Sequence, residues 1–230
     1  SDGGAGESWL EPPTATVTMI LNLGDPFGGM PAAFVAGLSD RYEVVQGSET
    51  MCCLDVKLTP PGAYGVLGVP MDEIAGRAAD VGDVLGRPAL ELVDRLREAP
   101  GWEERFELFD TFLLRRLAET SRPSAQVEWT WRRLVDSGGL VPVGRLAAEA
   151  GWSTRHLTEM CRRQLGLPPK VLARVIRFNR LLKRLDREAA VRWAELAVDC
   201  GYYDQAHLHR DFRQFAGTTP AGFLAGRLPA

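Results

Sequence analysis

Two stretches of the sequence, about 50 residues apart, share one arrangement of residue types. Residues 146–153 and 196–203 each place a small residue in an apolar helical pattern, then a glycine, then an aromatic residue. A small residue allows two helices to cross closely, and glycine supplies the left-handed backbone that a sharp turn needs. Ser153 and Asp204 are suited to cap the polar helix that follows each stretch. The repeat therefore predicts two helix-turn-helix units.

Apolar residues at helical spacing predict the elements around these turns. In each unit a short helix precedes the turn and a polar helix follows it, and one long helix joins the two units. The predicted helices are, in chain order, residues 143–150, 154–165, 169–187, 191–199 and 205–215. The second half of the chain is thus expected to be all helical.

The first half of the chain has a different pattern. Residues 14–23 alternate between apolar and polar positions, which is typical of a half-buried strand. Residues 42–46, 51–58 and 64–69 are further strand candidates, and the period becomes helical from residue 71. The predicted fold is an α+β N-terminal domain followed by an all-α domain with two helix-turn-helix units joined by a long helix.

A polar, proline-containing linker at residues 120–124 separates two halves of opposite charge. Residues 1–124 hold 10 Lys and Arg against 20 Asp and Glu, and residues 125–230 hold 17 against 10. The halves therefore carry net charges of −10 and +7. A basic half predicts a polyanionic partner, whereas the acidic half should be repelled by DNA. We expect a ligand-sensing or dimerisation domain at residues 1–122 and a DNA-binding domain at residues 125–230.

At the level of individual residues, both repeats resemble the AraC family of bacterial transcription regulators. Residues 153–166 resemble the first unit of that family, and residues 201–213 with 217–220 resemble its signature. The resemblance covers residues 125–228 and implies two three-helix units that read successive major-groove segments of double-stranded DNA. It also implies that the front domain senses a small-molecule effector or pairs two copies into a homodimer. RNA polymerase is a further candidate partner, and the sequence leaves activation or repression open.

Three positions depart from the family pattern. Cys161 stands where Phe is usual, which should loosen the core of the first unit. Glu159 replaces a common basic residue, and His209 replaces a common Ser or Thr. The last two departures affect the expected DNA sequence preference and leave the expected fold unchanged.

The outward faces of the two polar helices supply the candidate DNA contacts. Base edges are read from the first turns of a recognition helix, where Arg suits guanine, Gln suits adenine, Glu suits cytosine and Ala suits a thymine methyl group. The predicted base-contacting residues are Arg155, Thr158, Glu159, Gln205, Ala206, His209 and Arg210. The predicted phosphate-contacting residues, which position the protein without specifying a sequence, are Arg162, Arg163 and Arg213.

An alternative function rests on the adjacent cysteines Cys52 and Cys53. A DNA-binding protein could use such a thiol to repair alkylated DNA or to sense the redox state. A reactive thiol needs a base or a cation nearby, and the front half contains no histidine and no phosphate-binding loop. The sequence therefore predicts a protein that is not an enzyme, with no catalytic residues and no cofactor.

Metal binding and membrane insertion are not expected from the sequence. The four cysteines lack the spacing of metal ligands, and His207 and His209 point in different directions on a helix. No apolar run approaches the roughly 20 residues that a membrane helix needs. The acidic, glycine-rich start is unlike a signal peptide, so we expect a cytoplasmic protein.

Overall fold

The computed structural model describes residues 8–24, 31–46, 52–185 and 192–225. Strands dominate the beginning of the chain and helices the rest, as the sequence predicts. The strands are β1 (Ser8–Glu11), β2 (Val17–Asn22), β3 (Ala33–Ala36), β4 (Glu43–Gln46), β5 (Cys53–Leu58) and β6 (Ala78–Asp80). The helices are α1 (Pro60–Leu67), α2 (Val81–Leu85), α3 (Arg87–Glu98), α4 (Trp102–Glu119), α5 (Ala125–Asp136), α6 (Val143–Glu149), α7 (Thr154–Leu165), α8 (Pro169–Leu185), α9 (Trp193–Asp199), α10 (Gln205–Ala216) and α11 (Pro220–Ala225).

The strands form two separate antiparallel sheets. The larger has the order β5-β2-β3-β6, and its central strand β2 buries Val17, Met19 and Leu21 on one face. This is the alternation that predicted the strand, and it directs one face of the sheet into the core. The smaller sheet is a ribbon of β1 and β4, in which Leu10 lies opposite Val44.

The prediction of a strand at residues 64–69 is wrong, because most of that segment belongs to α1. The prolines at residues 60 and 61 occupy the first turn of this helix, where their fixed backbone angle favours helix formation. Thr59 caps the helix by accepting a hydrogen bond from the Gly62 amide at 3.2 Å. The start signal at Thr59 therefore outweighs the alternating apolar pattern that follows it.

The predicted ends of several elements differ slightly from the observed ones. Helix α8 is described as far as Leu185, so residues 186 and 187 of the predicted helix lie outside the described residues. Helix α9 begins at Trp193, and residue 191 of its predicted range also lies outside them, as does residue 51 of the predicted strand at 51–58.

Two hydrophobic clusters lie at the centre of the structure. The first includes Val17 in β2, Leu96 in α3, Leu134 in α5 and Leu157 in α7, so the front sheet and the first helix-turn-helix unit share one core. The second cluster is formed by α8 together with α9 and α10. Helix α8 contributes buried side chains to both clusters and so connects the second unit to the rest of the molecule.

Candidate nucleic-acid interface

The first helix-turn-helix consists of α6 and α7. Ala147 is buried where the two helices cross, and its carbonyl accepts a hydrogen bond from the Trp152 amide at 2.9 Å. Gly151 makes the turn with a φ of +71°, in the left-handed region that favours glycine. Ser153 Oγ then accepts a hydrogen bond from the His156 amide at 3.2 Å and caps α7.

The second helix-turn-helix, formed by α9 and α10, repeats this construction. Ala197 is buried, and its carbonyl accepts from the Tyr202 amide at 2.9 Å. Gly201 has a φ of +77°, and Asp204 caps α10 by accepting from the His207 amide at 2.7 Å. Both predicted turns and both predicted caps are therefore confirmed.

The exposed faces of α7 and α10 carry most of the residues predicted to contact DNA. The exposed ones are Arg155, Glu159, Arg162 and Arg163 on α7, and Gln205, Ala206, Arg210 and Arg213 on α10. Thr158 and His209 are half-buried, and the Thr158 hydroxyl donates to the Thr154 carbonyl at 2.7 Å. The opposite faces are packed, since Leu157 and Leu208 are fully buried. Contact of each exposed residue with a base or a phosphate stays a prediction.

An acidic residue on the inner face of α10 was missed by the sequence reasoning. Asp211 is 1% exposed, and its Oδ1 accepts hydrogen bonds from Arg174 of α8, at 2.6 Å from Nη2 and 3.2 Å from Nε. The same Nη2 donates to Gln214 Oε1 at 2.8 Å. The signal was available, because Asp211 falls inside the apolar stripe of the helix, where a carboxylate needs a partner.

The loop between α5 and α6 contacts the turn of the second unit. Leu140 follows the loop after α5, and its side chain packs against Gly201 in the turn of the second unit. Arg177 of α8 donates to the Gly139 carbonyl at 3.1 Å, and its guanidinium carbon lies 5.5 Å from the centre of the Tyr202 ring. Burial, with the nearby Asp211 carboxylate, raises the pKa of Tyr202 well above its usual value. The phenol therefore stays neutral between the two units.

A family comparison agrees with this geometry. Residues 146–226 match the model described as a helix-turn-helix domain. The C-terminal region is an AraC-type helix-turn-helix domain. The match begins in α6 and extends through α11, so the AraC-type domain includes both turns and both exposed helices. The chain thus carries a DNA-binding domain of the kind found in transcription regulators.

Solved structures of similar fold include ToxT from Vibrio cholerae. One ToxT structure has a TM-score of 0.52 at 9% identity, covering 97% of this chain and 95% of that chain. ToxT from Vibrio cholerae O395 bound to (E)-4-(8-methylnaphthalen-1-yl)but-3-enoic acid has a TM-score of 0.50 at 10% identity, covering 97% and 96%. At these identities the likeness shows the fold alone. No curated protein matches the chain.

The thiols differ in their surroundings. Cys161 and Cys200 are buried inside the AraC-type domain, whereas Cys52 is exposed and Cys53 half-buried at the edge of the sheet. Burial, with the Asp55 carboxylate nearby, raises the pKa of the Cys53 thiol and so disfavours its reactive thiolate form.

The part of the chain that the structure describes offers neither a metal cluster nor a membrane-spanning helix. Within the described ranges, His, Cys, Asp and Glu form no group of three that could hold a metal ion. Among the helices of this part of the chain, none combines the length and the apolar character that crossing a lipid bilayer requires.

Proposed function

We propose that this protein is a sequence-specific transcription regulator that reads DNA with α7 and α10. The observation that carries the proposal is the repeated unit: a glycine turn, a side-chain cap and a helix whose first turns expose Arg155, Gln205 and Arg210. These helices lie in the half of the chain with a net charge of +7, which attracts the phosphate backbone. We further propose that the two helices occupy successive major-groove segments.

The individual contacts follow from chemistry and position. Arg155 and Arg210 each have a guanidinium that can donate two hydrogen bonds to one guanine, and Gln205 can pair in the same manner with adenine. Thr158, Glu159, Ala206 and His209 complete the proposed base-reading set. Arg162, Arg163 and Arg213 lie later in their helices, which favours contact with phosphates.

We assign control of DNA binding to the front half, residues 1–122, with the DNA-binding domain at residues 125–230. The acidic charge of the front half argues against DNA contact there. A ToxT structure holds an organic acid, which supports the proposal that a chain of this fold responds to a small-molecule effector. A regulator of chromosomal DNA would work in the cytoplasm with RNA polymerase as its protein partner.

Pairing of two copies is the other proposed role of the front half. Helix α4 exposes large apolar side chains, namely Trp102, Phe106, Leu114 and Leu117. Exposed apolar patches on one helix are typical of an interaction surface. Sedimentation of the full-length chain over a range of concentrations tests pairing, and a monomer at every concentration would exclude it.

The thiol-based alternative has weaker support. The raised pKa of Cys53 opposes thiolate formation, and no base is paired with Cys52 by a described hydrogen bond or ion pair. We therefore propose that the protein has no catalytic activity. Incubation with methylated duplex, followed by mass measurement of Cys52 and Cys53, would reveal a transferred methyl group if this alternative were correct.

The central experiment compares two arginines of α10. A pool of random duplexes of about 30 base pairs, or three helical turns, is first enriched on the full-length chain to obtain a preferred site. Arg210→Ala should weaken binding to that site by about 1–3 kcal/mol and relax the preference at one base pair. Arg213→Ala should weaken all duplexes alike and lower the slope of log K against log salt by about one.

Comparison of Arg210→Ala with Arg213→Ala distinguishes base contact from phosphate contact, because both variants remove one positive charge from the same helix. Fluorescence anisotropy titrations with the preferred and a scrambled duplex, at a series of salt concentrations, give the loss of affinity and the salt slope for each variant. Equal losses on the two duplexes for Arg210→Ala would show that it does not read a base. If the wild-type chain bound no duplex at all, the proposed function itself would be wrong.

A further inference from the structure

The two helix-turn-helix units are attached to the front half in different ways. Helix α7 of the first unit is embedded in the front core, and a Cβ on Gly166, at its end, would lie 3.4 Å from the carbonyl oxygen of the buried Met71. The second unit has a separate core, in which the ring of Phe178 lies 5.0 Å from that of Phe212. Elements that share one apolar core tend to unfold and refold as a unit, because separating them exposes apolar surface to water. The first unit should therefore behave as part of the front half, and the second as a body of its own.

Hydrogen bonds tie the second unit to the front half. On α8, Asn179 Oδ1 accepts from the Ala15 amide at 2.9 Å, and its Nδ2 donates to the Pro13 carbonyl at 2.8 Å. On α10, Gln214 Nε2 donates to the Asp40 carbonyl at 3.1 Å. We call these three contacts of Asn179 and Gln214 the latch. Hydrogen bonds of this kind contribute modestly to stability, so such a contact can open without unfolding either core.

The latch leads directly to the inner face of the recognition helix. Gln214 Oε1 accepts from Arg174, whose guanidinium also holds the buried carboxylate of Asp211 on α10. Beyond the end of α10, a Cβ on Gly217 would come within 2.9 Å of the ring of Tyr42, the residue before β4, and 3.2 Å from Leu10 Cδ1 in β1, so the ribbon also touches this end of the helix. A shift of the segment around Asp40 would therefore be transmitted to the orientation of α10.

We propose that the front half and the first unit form one rigid body, and that the second unit is a separate body that can open. Asn179 and Gln214 are positioning residues that hold the second unit against the first body. Opening of the latch would leave α7 in place and loosen α10, which would then be held to the first unit by the packing of Leu140 against Gly201 and by the hydrogen bond from Arg177 to the Gly139 carbonyl. This division lies within the DNA-binding half, at α8, and differs from the division at residues 122–125 expected from the sequence. Only the DNA measurement below rests on the proposed function.

The test is amide hydrogen exchange on the full-length chain with and without the latch. Gln214→Glu keeps the acceptor for Arg174 but removes the donor to the Asp40 carbonyl and faces the Asp40 carboxylate, 3.5 Å away. Asn179→Asp likewise keeps the acceptor for Ala15 and loses the donor to Pro13. Gln126→Glu, on the exposed side of α5, makes the same chemical change away from the latch.

We expect the double latch variant to exchange the amides of residues 208–215 about tenfold faster, the scale set by losing ordinary hydrogen bonds. Residues 157–165 of α7 and 17–22 of β2 should keep their protection, and Gln126→Glu should change neither region. The single variants are measured as well, so that the result does not depend on the folding of the double variant. Equal acceleration in α7 and α10, or no change in α10, would overturn the proposal.

The second readout uses the preferred duplex with one base pair inserted between its two segments. If the latch positions α10, the ratio of Kd values on the inserted and native duplexes should fall about threefold to tenfold in Gln214→Glu. An unchanged ratio in a variant whose α10 exchanges faster would overturn the positioning role. A chain that binds no duplex would refute the proposed function and leave the exchange result as the measure of the latch.

Discussion

At the scale of single residues, one buried thiol makes the free energy of unfolding of this protein sensitive to alkaline pH. Cys161 on α7 is fully buried, and burial raises its pKa to about 12 from an ordinary value of 9.0. Burial favours the protonated thiol because the thiolate would lose its hydration. Its stabilising contribution is therefore fully present below about pH 9 and is lost as the pH rises from 9 towards 12.

Substitution of Cys161→Val isolates this contribution. Between about pH 9 and pH 11 the free energy of unfolding of the wild type should fall by up to about 1.4 kcal/mol per pH unit more steeply than that of the variant. Urea unfolding at a series of pH values gives both curves. Cys52→Ser, at an exposed thiol, is the control and should keep the wild-type slope. Parallel curves for wild type and Cys161→Val would mean that the thiol is not protected from water.

At the scale of elements, the two recognition helices begin at caps of different chemistry. Ser153 accepts from the His156 amide at 3.2 Å, whereas the Asp204 carboxylate accepts from the His207 amide at 2.7 Å. A carboxylate at this end also interacts favourably with the helix dipole. The first turn of α10, which carries Gln205 and Ala206, is thus held by the stronger of the two caps.

Removal of the stronger cap should destabilise the protein. Asp204→Ala is expected to lower the free energy of unfolding by about 1–2 kcal/mol, and Ser153→Ala by about 0.5–1 kcal/mol. Asp204→Asn keeps an acceptor without the charge and should recover most of the loss at 204. Urea unfolding at one salt concentration measures all three variants. If the Asn and Ala variants were equally unstable, the cap would act through its charge alone.

Short sequence patterns predicted those elements that depend on neighbouring residues, and they failed where the contacts join distant parts of the chain. Gly151 and Gly201, each followed by a cap, specify a turn within a few residues, so both units were predicted with their helices nearly complete. The segment after Thr59 was misread because its apolar alternation resembles a strand, although its prolines start α1. The ribbon of β1 and β4 joins residues far apart in the chain, which no local pattern reveals. The place of Asp211 in an apolar stripe indicates that its carboxylate has a partner, but it does not identify Arg174, 37 residues away.

At the scale of the whole molecule, the two recognition helices are held in one arrangement by several contacts. The described part of helix α8 has 17 residues, which span about 26 Å. Leu140 packs against Gly201, and Arg177 bonds to the loop after α5, so that loop contacts the turn of the second unit directly, in addition to the connection through α8. One copy of the chain thus presents both helices at a set separation, as reading two neighbouring groove segments requires.

This arrangement predicts how binding depends on the spacing of the DNA site. An insertion of five base pairs between the two segments turns one of them to the far side of the duplex, because one helical turn is about 10 base pairs. Affinity of the full-length chain should then fall to nearly the non-specific level. An insertion of ten base pairs should not restore it, since the second segment moves a further turn, about 34 Å, beyond the reach of α8.

Anisotropy titrations with the native, five-base-pair and ten-base-pair duplexes measure the effect. A duplex of native length with the central base pairs replaced serves as the control, because it changes the sequence between the segments but not their separation. The site need not be a palindrome, since Arg155 and Glu159 on α7 differ from Gln205 and Arg210 on α10. Equal affinity for the native and five-base-pair duplexes would mean that one unit alone reads the site or that the two units move freely. In either case the fixed arrangement of two units would have to be abandoned as the basis of recognition.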